Sequence, residues 1–127
     1  MTVPIVFVSK TMNGGPCDFV RHAMSVASRE NEEVVLLGDK YNQSFSKGKF
    51  VDLSSYQKSI EEFEEHYVHL STNPENIEMF CYSRWFAFRD FMRNNNYQQA
   101  LHLDTDVLYF ANATEEAKRF TTLDCAI

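Results

Sequence analysis

Residues Val3 to Val8 form an almost unbroken apolar run rich in β-branched side chains. Without polar alternation, such a run reads as a strand covered on both faces, as in a parallel sheet. Two further runs, Val34 to Leu37 and Ala100 to Leu103, read the same way. Between the first two lies S-K-T-M-N-G-G (Ser9 to Gly15), a turn-rich loop, with Pro16 suited to the first position of a helix. Phe19, Val20, Ala23, Met24 and Ala27 then recur at helical spacing. Strand, loop, helix, strand is a βαβ unit, for which a right-handed crossover is expected. The fold class predicted is α/β with a mostly parallel sheet.

Further along, Tyr41 to Lys49 is polar and reads as a surface loop, and Phe50 to Leu53 as a short strand. Tyr56, Ile60, Phe63, Tyr67 and Leu70 share one helical face, leaving Glu61, Glu62, Glu64 and Glu65 to a solvated remainder. Ser71 to Glu75 breaks that helix and starts the next, with Asn73 as cap and Pro74 at the first helical position. The new helix runs from Glu75 to Asn94 and stops at Asn94-Asn95-Asn96. Thr114 to Phe120 predicts a short helix, and Leu123 to Ile127 the start of another strand. No linker or repeat interrupts the chain, so residues 1–127 read as a single domain.

A net charge of -6 and the lack of a basic stripe argue against nucleic acid or an anionic membrane as partner. Cys17, Cys81 and Cys125 are odd in number and widely spaced, which predicts free thiols in a reducing compartment. Cys81 and Cys125 sit among apolar residues and are expected to be buried. The N-terminus lacks a basic segment, and its apolar run is too short for a signal peptide or membrane span. A cytoplasmic location is the expectation.

Chemistry concentrates where the third strand ends. A-L-H-L-D-T-D-V-L-Y-F runs from an apolar segment straight into Asp104 and Asp106. Strand alternation would point residues i and i+2 to one side, letting both carboxylates share a cation. Two hard oxygen donors suit Mg²⁺ or Mn²⁺, which in turn suit a diphosphate. Asp is also a favoured turn residue, so a plain polar turn explains the same pattern. Arg84 falls at the centre of the stripe Ile77, Phe80, Cys81, Ala87, Phe88 and Phe91, where a guanidinium needs an acidic or phosphate partner. Trp85, at the border of that stripe, reads as core.

Asp39 follows the second strand, where it could serve a base or ribose or simply make a turn. Ser9, Lys10, Thr11 and Asn13 follow the first. Neither a P-loop nor a Rossmann glycine fingerprint is present. His66 and His69 read as surface residues without a third ligand, and His102 as a hydrogen-bonded core histidine.

With R-W on the helix before L-D-T-D-V and an acid after the second strand, the chain resembles the GT-A-type glycosyltransferases. The nearest part is E-N-I-E-M-F-C-Y-S-R-W-F-A-F-R-D-F-M followed by A-L-H-L-D-T-D-V-L-Y-F. The resemblance implies a Rossmann-like sheet and a nucleotide-diphosphate sugar as donor, held through Mn²⁺ or Mg²⁺. It implies metal coordination by Asp106, with Asp104 contacting both the metal and the ribose or sugar. Arg84 would lie near the sugar or diphosphate, Asp39 near the base, and Ser9 near the nucleoside.

Enzymes of this kind continue beyond the D-x-D into an acceptor-binding half, whereas only residues 107–127 follow here. The implied reading is a nucleotide-binding half of a larger transferase, with unknown glycan or protein acceptor and no assignable catalytic base. Such a half-domain would favour a homo-oligomer that covers its sheet edges and faces. Two alternatives stand beside it. D-T-D-V also matches the D-x-D-x-[TV] of haloacid-dehalogenase-like phosphotransferases, with Asp104 as nucleophile. A non-catalytic module using exposed Tyr82 and Phe86 is the other.

Overall fold

Every residue of β1 (Ile5–Val8) is buried, as its composition requires. In the computed structural model, which describes residues 1–12, 15 and 17–125, β1 lies inside a four-stranded sheet. It pairs with β2 (Val34–Gly38) on one side and β4 (Leu101–Leu103) on the other. The outer edge of β2 carries β3 (Lys49–Asp52), giving the order β3-β2-β1-β4 with every pairing parallel. Phe7 faces Leu36 across one ladder and Leu103 across the other, so the register stacks the apolar rows. The molecule is thus α/β with an all-parallel sheet, consistent with a Rossmann-like fold.

Period-2 alternation divides β1 between two cores. Ile5 and Phe7 join Val20, Ala23, Met24 and Ala27 of α1 (Phe19–Ala27) and Ala113 of α4 (Ala113–Ala117). Val6 and Val8 join Ile60 of α2 (Gln57–Glu64) and Ala87 and Phe91 of α3 (Glu75–Asn94). Helices therefore cover both faces, which is why the strands show no polar alternation.

Several boundaries differ from expectation. The helix expected over Tyr56 to Leu70 is only α2, entered through a 3₁₀ turn at Leu53–Tyr56. Tyr67 lies beyond its end, and Leu70 is 89% exposed, so the apolar spacing outlasted the helix. Leu53 belongs to that turn, and the strand starts earlier, at Lys49. Part of the loop 41–49 is a 3₁₀ turn, Gln43–Phe45. Asp18 takes the N-cap position of α1, and Pro74, not Asn73, that of α3. Asn112 caps α4 through its side chain, accepting from the Glu115 amide at 3.0 Å. Leu123 to Cys125 form no strand. The expectations for Asn13, Gly14, Pro16, Ala126 and Ile127 fall outside the described residues.

α3 stops as expected. Asn95 returns its side-chain amide to the Phe91 carbonyl at 2.8 Å, and Asn96 adopts a left-handed φ of 57°. The next residue, Tyr97, stacks obliquely on Phe91 and donates its hydroxyl to Glu33. Burial, then this hydrogen bond and the Glu33 charge, push its phenol up to about 12. A raised folded-state pKa favours the protonated phenol, so its stabilising contribution is complete below an ordinary pKa of about 10. It should be lost between there and about 12. Ultraviolet titration of wild type against Tyr97→Phe should reveal one phenolate absent until that range.

Among the described residues, no helix is long and apolar enough to cross a membrane.

Candidate functional site

Strands β2 and β3 lie on one side of β1 and β4 on the other, so the strand order reverses at the β1/β4 boundary. Open parallel sheets bind ligands at the carboxyl ends of strands flanking such a reversal, where the loops diverge. A cleft of about 510 Å³ occupies that place here. Its floor is Val8, Ser9 and Asn42, one wall is Asp104 to Asp106, and another includes Ile77, Phe80, Cys81 and Arg84 of α3.

Helix length explains that wall. Twenty residues of α3 span about 30 Å, whereas the four residues of β1 span about 13 Å. The C-terminal part of α3 packs Ala87 and Phe91 on the sheet. The N-terminal part overhangs the strand ends and presents Ile77 and Cys81 to solvent. Cys81 was expected to be buried with the stripe; it is exposed on the cleft wall because the helix outruns the sheet. Cys125 is exposed too, as is Cys17.

Loop positions after β1 and β2 are set by one carboxylate. Asp39 accepts from the Thr11 amide at 2.5 Å and the Thr11 hydroxyl at 3.0 Å. It also accepts from the amides of Tyr41 at 2.9 Å and Asn42 at 3.1 Å, closing an Asx turn. Asn42 answers across the gap. Its side-chain carbonyl accepts from the Asp39 backbone amide at 2.8 Å, and its side-chain amide donates to the Ser9 backbone carbonyl at 3.0 Å. A Cβ on Gly38 would collide with the Asn42 side-chain oxygen, so glycine there allows this close approach. Asp39 is not among the cleft-lining residues, and its role in the structure is this clamp. Asn42, buried and cleft-lining, was hidden in what reads as a polar surface loop. The signal that could have found it is the D-x-x-N spacing behind a strand.

Asp104 and Asp106 reach the cleft by a different route from the one expected. β4 ends at Leu103, and the Val107 amide donates to the Asp104 carbonyl at 3.1 Å, closing a turn. Turn geometry, not strand alternation, brings both carboxylates to the cleft wall. Arg84 donates from Nη1 to Asp104 Oδ1 at 2.7 Å. The arginine side chain is 20% exposed and the aspartate 57%. Arg84 Nε is buried with no hydrogen-bond partner among the described residues.

His102 lies behind this pair. Its Nδ1 is 3.0 Å from the Val6 carbonyl and must donate to it, which leaves Nε2 an acceptor in the neutral ring. Nε2 is buried, lacks a partner among the described residues and lies 3.8 Å from Asp104 Oδ1. Burial above all, with help from the Arg84 charge, holds the imidazole pKa below its ordinary value; the Val6 carbonyl and Asp104 oppose the shift. A neutral His102 leaves Arg84 as the cation paired with Asp104. Trp85, expected in the core, is 47% exposed and packs edge-on against His102 at 4.8 Å.

Ser9, Arg84, Asp104 and Asp106 therefore line one cleft, and Asp39 stands just behind its floor. Two hard oxygen donors on one turn are residues that could take part in holding Mg²⁺ or Mn²⁺. Among the described residues, no group of three or more His, Cys, Asp or Glu is placed to hold a metal ion. Comparison with protein-family models, curated proteins and solved structures finds no match for this chain.

Proposed function

We propose that the cleft binds a nucleotide-diphosphate sugar through Mn²⁺ or Mg²⁺ held by Asp104 and Asp106, as the donor-binding part of a GT-A-type glycosyltransferase. One observation carries the reading: Asp104, Asp106 and Arg84 converge on a single cleft at the carboxyl ends of a parallel sheet. A diphosphate needs cationic charge on its oxygens, and a cation held by Asp104 and Asp106 would supply it as a Lewis acid. Arg84, 2.7 Å from Asp104, adds a guanidinium suited to a phosphate or a sugar hydroxyl. Ser9, Lys10 and Thr11 present polar groups and a further positive charge along the floor. The clamp made by Asp39 and Asn42 orders that floor before any ligand arrives, which lowers the entropic cost of binding. The acceptor and the catalytic base stay unassigned.

Calorimetric titration with UDP-, GDP- and CDP-sugars tests this reading. With Mn²⁺, one donor class should bind at least about tenfold more tightly than without, a coupling of about 1.4 kcal/mol. Asp106→Ala should erase that difference. Equal affinity with and without metal, or no binding at all, would sink the proposal. A beryllofluoride adduct on Asp104 would instead favour the phosphotransferase reading, in which that carboxylate is the nucleophile.

A further inference from the structure

The two acids of the D-x-D are not equivalent. Asp106 is exposed and has no ion-pair or hydrogen-bonding side-chain partner among the described residues, whereas Asp104 is closed by Arg84. We propose that Arg84 is a displaceable counter-ion, pairing with Asp104 in the free protein and exchanging that carboxylate for a phosphate oxygen when a cation takes its place. This inference rests on the function proposed above and adds a coupling between the two ligands. Cation and diphosphate would each remove an obstacle to the other.

Geometry supports the exchange. The contact is a single Nη1–Oδ1 bond of 2.7 Å, not a two-point fork, and its acidic end is 57% exposed. Exposed one-point pairs are weak and easily replaced. The guanidinium retains unused donor capacity, because among the described residues its side chain makes one hydrogen bond, from Nη1. An oxygen-rich anion in the cleft would answer the charge released from Asp104 and the Nη1 donor freed with it. The charge would stay anchored meanwhile, since the guanidinium centre lies 5.6 Å from the Trp85 ring.

Without diphosphate, Arg84 would compete with a cation for Asp104. Without a cation, Asp104 would compete with phosphate for Arg84. Coupling of this kind is reciprocal by linkage.

Two single-ligand titrations and one spectrum test the exchange. Mn²⁺ alone would be titrated into wild type and Arg84→Met, with free ion followed by electron paramagnetic resonance. Inorganic pyrophosphate alone, with chelator present, would be titrated into wild type and Asp104→Asn by calorimetry. Arg84→Met should bind Mn²⁺ about fivefold more tightly, and Asp104→Asn should bind pyrophosphate tighter by a similar factor, the size expected for a partly exposed ion pair. In wild type, Mg²⁺ should shift the Arg84 Nε–H resonance, a change that a fixed pair within a new field gradient would show only weakly.

Unchanged or weaker Mn²⁺ binding by Arg84→Met, beside measurable binding by wild type, would overturn the exchange and leave the proposed function standing. An Nε–H signal unmoved at saturating Mg²⁺ would overturn it too. Failure of both wild type and Arg84→Met to bind Mn²⁺ would remove the proposed function and the exchange together.

Discussion

Replacement of Phe91 by alanine is expected to remove about 3–5 kcal/mol of folding stability, the range for deleting a fully buried aromatic side chain. Phe91 is completely buried and belongs to the core shared by α3, α2 and one face of the sheet. Its ring touches Tyr97, with centroids 5.6 Å apart, and lies under the Lys49 ammonium at 5.9 Å. Rigid β-strands on one side and a long helix on the other leave little room for collapse into the void, which places the loss toward the upper end. Urea unfolding followed by circular dichroism would read it as a lower midpoint at unchanged slope. A loss below about 1 kcal/mol would mean that α3 is not seated on the sheet as described, because only a relaxed or already open core tolerates such a deletion.

The same helix shows what the sequence discloses and what it conceals. β1 and β2 are legible because a strand buried on both faces has no polar positions to blur it. α3 is legible in length because acidic residues open it and three asparagines close it. Which part of its stripe faces the core is another matter. That depends on the length of the sheet beneath, a property of β1, β2 and β4, and so Cys81 was assigned to the interior and found on the cleft wall. α2 fails in the opposite sense. Tyr67 and Leu70 continue its spacing, yet the chain leaves the helix at Glu64 and Leu70 meets solvent.

Site residues follow a similar division. Asp104 and Asp106 stand out because two acids after an apolar run are locally conspicuous, and the structure places both in one cleft. The reason offered by alternation does not hold, since the strand ends before either of them. Arg84 was legible as a charge in need of a partner, and Asp104 supplies one from 20 residues away. Asn42 was not legible. Its function depends on Ser9, 33 residues earlier, and on a glycine that makes room for it. Contacts of that separation leave no periodicity to read.

Loss of the Asp39 carboxylate should be the most damaging single change behind the cleft. Asp39→Ala strips acceptors from the amides of Thr11, Tyr41 and Asn42 and from the Thr11 hydroxyl. Buried donors left unsatisfied cost about 1–3 kcal/mol each. Tyr41 is exposed and can turn to water, while Thr11 and Asn42 are more enclosed, which brings the expected total to about 2–4 kcal/mol. Asp39→Asn separates charge from shape. Its carbonyl can keep the three bonds to Oδ1, but its amino group would face the Thr11 amide, donor against donor. About half the loss should therefore persist in that variant. Because the clamp positions Ser9 to Thr11, both variants should also weaken whatever the cleft binds, Asp39→Ala by at least about tenfold, while α1 and the sheet remain folded. Stability within about 0.5 kcal/mol of wild type for Asp39→Ala would show that the loop is ordered without the carboxylate. Asp39 would then be free for a base or ribose, the role that its place after the second strand first implied.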